Sequence, residues 1–309
     1  MKYLHFFENY VTKQKQTLKR FKKNMKLSTP EESVDFVLEK CKEFLEYPCL
    51  IQRGIYMDGG ATNPNIFHSL PALRYSRDNK NYYNLIMDHS PEWKGFPKRM
   101  KSFMCGRNVS LGSDVYIVIP VDGSKWGVAP TSDIFQAFRT QTEELFGKPW
   151  DIDTVLKDLE YYSDYFGIPI SDTNFTQFKK DIKLIGEKII KNSEYDDPLE
   201  RINTNRLQCY AMYEKIVEGV DFFDLLLELI DPTYNGFKLL DWKGIYEEFG
   251  NPDLPHEKTR VEHEVWTDSE CLFVKKYASE WIGLIDNESY KFWDILKEKT
   301  GKDYLKLTR

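Results

Sequence analysis

The chain lacks a basic excess, a CxxC pair, a long apolar run and an internal repeat, and each absence removes a class of function. Lys and Arg number 43 against 49 Asp and Glu, for a formal net charge of -6. No global positive field is therefore available to hold a nucleic acid backbone. The five cysteines, Cys41, Cys49, Cys105, Cys209 and Cys271, are odd in number, widely spread and without a His-rich neighbourhood. That pattern argues against a structural zinc site and for a reducing compartment, so no metal is expected. No stretch approaches the roughly 20 apolar residues of a membrane span, and the apolar start "MKYLHFF" is too short and interrupted for a signal peptide. A soluble, cytoplasmic protein with no membrane partner is expected.

What is present is globular in composition: 309 residues, 41% hydrophobic, 15% aromatic and 30% charged, enough to bury a substantial core. Residues 13–26, "KQKQTLKRFKKNMK", form a basic run with Leu18, Phe21 and Met25 at helical spacing. A solvated helix face explains this run, and a local contact with nucleic acid or an acidic partner is the functional alternative. In "STPEESVDFVLEKCKEFLEYP", Ser28 or Thr29 ahead of Pro30, with Glu31 and Glu32 behind it, marks a helix start, and Pro48 marks its end. From 49 to about 133, short apolar runs ("CLIQRGIYM", "KSFMC", "VYIVIPV") between loops read as strands. From about 134 the pattern turns helical, with Gly147, Gly167 and Gly250 at the expected stops. Strand character returns at 261–274, before a last helix in "NESYKFWDILKEKTG".

The strand-rich material thus comes in two pieces around a helical block. One sheet fed from both pieces is the economical arrangement, and the fold class is α+β. The expected division is 1–48 as an N-terminal helical segment, 49–133 with 259–309 as a discontinuous core, and 134–258 as a helical insertion.

Three polar features sit inside the apolar strands. Arg53, followed by Gly54, lies in a run that otherwise looks buried, where a guanidinium needs an anion or else faces water on an edge strand. "KSFMCGRN" brings Ser102, Phe103 and Cys105 to the end of another strand; a serine there caps backbone groups or orients a ligand. Glu262 and Glu264, two apart in "VEHEVWT", point to one face of a strand. Paired carboxylates can stabilise an oxocarbenium-like centre and prepare an attacking group, and they can equally be solvated charges.

In this order, Arg-Gly, then "SFM" with a polar turn, then Glu-x-Glu leading to an outgoing strand, the chain resembles the Arg-Ser-Glu subgroup of the ADP-ribosyltransferase superfamily. Cys105, Gly106 and Arg107 stand where that family has Ser-Thr-Ser. The resemblance covers residues 49–133 and 259–276 and implies a split β-sheet core that binds NAD as substrate and releases nicotinamide. It would give Glu264 the stabilisation of the departing glycosidic bond and Glu262 the acceptor, with Arg53, Gly54, Ser102, Phe103 and Cys105 holding the cofactor. Arg74 and Arg77 could add phosphate contacts or be solvated loop charges. The acceptor would be a macromolecule, protein arginine before nucleic acid. The landmarks "RG", "YIVIP" and "EVW" also resemble viral accessory proteins, which would place the chain in a host cytoplasm. The altered Ser-Thr-Ser turn and the large helical block support the alternative of a binding or inhibitory protein without turnover.

Overall fold

The computed structural model describes residues 22–55, 64–73, 81–106, 114–193, 207–250, 263–276, 288–304 and 306. Glu262, Arg74, Arg77, most of the basic run and the resembling turn's Arg107 lie outside them. The chain is α+β and separates into two units. One comprises 1–75, 96–128 and 239–309, the other 76–95 and 129–238.

The described residues form nine strands in one antiparallel open sheet: β1 (Met25–Leu27), β2 (Gln52–Ile55), β3 (Ile66–Ser69), β4 (Phe103–Gly106), β5 (Asp114–Pro120), β6 (Trp126–Val128), β7 (Lys238–Leu240, where the two units meet in sequence), β8 (Glu264–Thr267) and β9 (Cys271–Lys276). Their order is β1-β3-β9-β5-β2-β4-β8-β6-β7. β9 pairs with β3 and β5, and β8 with β4 and β6. The late strands therefore complete a sheet begun before residue 130, as the two strand-rich pieces predict.

Helix α1 (Pro30–Lys40) starts on a complete capping box: Thr29 takes the Glu32 amide and Glu32 reaches back to the Thr29 amide, which satisfies two donors that the helix leaves open. α1 contacts the C-terminal helix, Glu288–Thr300, and both carry core residues: Val34 and Val37 on one, Phe292 and Leu296 on the other. Phe67, Phe103, Tyr116 and Phe273, fully buried, make a ring cluster on one sheet face, with Phe67 and Phe273 stacked at 4.9 Å and Phe103 edge-on to Phe273 at 4.9 Å. Burial of each such side chain contributes roughly 1.5–3 kcal/mol.

The second unit is helical. Gly147 and Gly167 end two of its helices at φ of 69° and 65°, the left-handed conformation a glycine adopts without penalty. One of its helices was not legible as such: Tyr82–His89, inside the stretch that reads as strands and loops, is helical and belongs here. Tyr82 through Asp88 are all buried, the polar Asn84 and Asp88 included, so the segment presents no solvent-facing side and its eight residues are too short a run to read as a helix by pattern. It packs on the helix Phe175–Ser193, where Tyr82 stacks on Phe178 at 5.5 Å. Residues 239–250 cluster with the sheet unit. The reason is Trp242, which packs on Trp126 at 5.5 Å and donates from its indole to Tyr47 O at 2.9 Å.

Among the described residues no helix is long and apolar enough to cross a membrane, and no cluster of three His, Cys, Asp or Glu is placed to hold a metal ion. Cys41, Cys49, Cys105 and Cys271 are free thiols and buried.

Candidate functional site

Arg53, Ser102, Phe103, Cys105 and Glu264 come together on three neighbouring strands, β2, β4 and β8, and the turn that feeds β4. Register decides how they face. Gln52 lies opposite Gly106, and Gly106 lies opposite Glu264. Opposed residues of an antiparallel pair share a face, and neighbours along a strand alternate. Gln52, Gly106 and Glu264 therefore share one face, with Met104 and Trp266, which also oppose each other. Arg53 points to the other, with Phe103 and Cys105.

The contacts agree with the register. The Arg53 guanidinium carbon lies 5.4 Å from the Phe103 ring centroid, and Nη1 donates to the backbone carbonyl of Met104 at 2.9 Å. Burial lowers its proton affinity from the usual arginine value, opposed by the Cys105 sulfur, which accepts a hydrogen bond, and by Cys271. Nε is buried without a partner, and no carboxylate pairs with Arg53 among the described residues. Burial drives the Cys271 thiol well above its ordinary range, so that thiol is protonated and unreactive at neutral pH.

On the opposite face Glu264 has a cation of its own. Arg99, in the short turn Arg99–Lys101 ahead of β4, donates from Nη2 to Glu264 Oε1. The side chains are 4% and 18% exposed, respectively. The same guanidinium touches Met104 Sδ at 2.9 Å and lies 5.1 Å from the Trp266 ring centroid. Trp266 is in turn fixed from three sides. Its indole donates to Pro97 O at 3.1 Å, Phe96 stacks on it at 6.2 Å, and it lies across Gly127, where a Cβ would sit 2.2 Å from the ring. Arg99 is thus clamped between a carboxylate and a π-face, an arrangement suited to a guanidinium that has left water.

Ser102 is buried and its hydroxyl donates to Lys98 O at 2.6 Å. It closes the turn that delivers Arg99, the backbone-capping role that a serine at a strand end commonly takes. Gly54 stands opposite Val115 on β5.

The structure brings Glu264 together with Arg99 and Trp266, and Arg53 with Phe103 and Cys105, but it does not bring Arg53 and Glu264 to one surface. A ligand seated beside Glu264 could not also be held by the Arg53 side chain, which lies on the far side of β4. The residues that the resemblance selects lie on two faces of the sheet and do not fit NAD as one site.

Arg99, Met104, Trp266 and Gly127 carry this arrangement and were not among the residues singled out in the sequence. Trp266 has a signal: it lies two residues from Glu264 in "EVW" and so on its face. Arg99 has none, because "PKRMK" is a charged turn without periodicity. No protein family, no curated protein and no solved structure matches the chain.

Proposed function

We propose that this chain acts by binding a macromolecular partner and not by transferring ADP-ribose. The observation that carries this reading is the buried Arg99 on Glu264. A carboxylate that must stabilise positive charge at a breaking glycosidic bond has to meet that charge, and here its strongest partner is already in place. Arg53, on the far side of β4, adds nothing to that face. The helical unit gives a protein partner apolar anchors in Tyr165, Leu184, Ile190, Val217 and Tyr234, all large and exposed. Acidic net charge makes a protein a better-matched partner than a nucleic acid.

The test is incubation of the full chain with NAD, with free nicotinamide and calorimetric heat both recorded. The binding reading expects no nicotinamide above buffer and no saturable heat. Nicotinamide release that Glu264→Gln abolishes while the variant stays folded would replace it with the transferase reading.

A further inference from the structure

His68 lies in the middle of β3, one strand in from the sheet edge. Lys26 of the edge strand β1 is opposite it on one side and Leu272 of β9 on the other, and the three share a face. Above them, Phe36 of α1 meets the imidazole edge-on, with ring centroids 4.1 Å apart. His68 Nδ1 is buried and has no hydrogen-bond partner among the described residues. A neutral imidazole fits such a place; an imidazolium does not, because it would bring a second cation opposite Lys26 and leave a buried N–H donor without an acceptor.

The element that depends on this contact is slight. β1 has three residues, all paired to β3, and beside that ladder the Asn24 side-chain amide donates to Leu70 O at 3.3 Å and Pro71 O at 3.4 Å. Immediately after it, the capping box anchors α1 independently, so β1 can leave the sheet without unwinding the helix.

We propose that His68 is an acid-sensitive latch: its protonation releases β1 and leaves the hydrogen-bonding edge of β3 open. An open strand edge leaves its N–H and C=O groups unpaired, so acidification would expose the β3 backbone to solvent. The charged groups around the ring are Lys26 from β1, Glu32 from α1 and Glu270 ahead of β9. Burial, and to a lesser extent Lys26, lower the proton affinity of His68 below that of a free histidine, while Glu270 and Glu32 oppose this. Since the released state binds the proton more readily than the closed one, the latch holds above the ordinary histidine range and opens as pH falls below it.

Hydrogen exchange of the full chain, read on segments 22–28 and 65–70 at about pH 7.5 and about pH 5 and corrected for intrinsic rates, tests this. In the wild type, protection of both segments should fall by about tenfold at the lower pH, while the helix at 222–229 keeps its protection. In His68→Gln, whose side chain does not titrate, protection should be the same at both pH values. Lys26→Gln should shrink the acid response while leaving His68 in place. The latch is overturned if the wild type keeps its protection, if His68→Gln loses it as the wild type does, or if Lys26→Gln leaves the response unchanged.

Discussion

Two arginines, Arg99 buried and Arg53 half-buried, flank β4 from opposite faces of the sheet, and their surroundings differ in kind. Arg99 has a carboxylate, a thioether and an indole face. Arg53 has a peptide carbonyl, a thiol and a phenyl ring. The first is a compensated charge, and removing either partner strands the other. Among the described residues the second is a charge held by dipoles and π-electrons, so its removal leaves no opposite charge behind. Of these two arginines only Arg99 therefore has an ion pair to lose, and the carboxylate that would do chemistry beside it is the one that supplies it.

Substitutions separate the two faces, beginning with the largest effect. Glu264→Ala should destabilise the sheet unit by about 3 kcal/mol, the typical result of leaving a buried charge unpaired, measured as a lower midpoint in urea with unchanged slope. Gly127→Ala forces a methyl group into the Trp266 ring and should cost about 1–3 kcal/mol; recovery in Gly127→Ala with Trp266→Leu would show that the ring is the obstacle. Arg53→Met keeps most of the volume and discards the uncompensated cation, so stability should change by less than about 1 kcal/mol in either direction. A loss as large as that of Glu264→Ala would break the comparison.

The helical unit supplies a reference in Asp221. Asp221 caps the helix Phe222–Leu229 by accepting from the Phe223 and Asp224 amides and from Lys183, and these bonds hold its carboxyl below the usual aspartate range despite burial. A depressed carboxyl contributes stability that is present above the unfolded value and is lost as pH falls through the folded one. Asp221→Ala should therefore cost about 1 kcal/mol near neutral pH, and the difference from wild type should vanish in strong acid.

How much of this was legible in the sequence follows from the range of the interaction concerned. The capping box at Thr29, the helix stops at Gly147 and Gly167 and the strands "VYIVIP" and "EVWT" are local, and each residue string carries its own signal. That Glu264 and Trp266 share a face follows from alternation within one strand. Whether Arg53 shares it too depends on the register of β2 on β4 and of β4 on β8, set by Gln52 opposite Gly106 and Gly106 opposite Glu264, pairs 54 and 158 positions apart. A slip of one residue would have turned the whole strand over. The order Arg, Ser, Glu could be read along the chain, but its meaning rested on a parity that no short motif contains. The ion pair was hidden for a similar reason: Arg99 is 165 positions from Glu264 and sits in a turn without pattern.

A double-mutant cycle between Arg99 and Glu264 tests the central claim most directly. With Arg99→Met, Glu264→Gln and the double variant unfolded in urea under the same conditions, the carboxylate's engagement by Arg99 predicts a coupling of about 2 kcal/mol, the double variant losing far less than the sum of the single ones. Additive losses, agreeing within about 0.5 kcal/mol, would mean that Glu264 is not held by Arg99 and would return it to the pool of carboxylates free for chemistry.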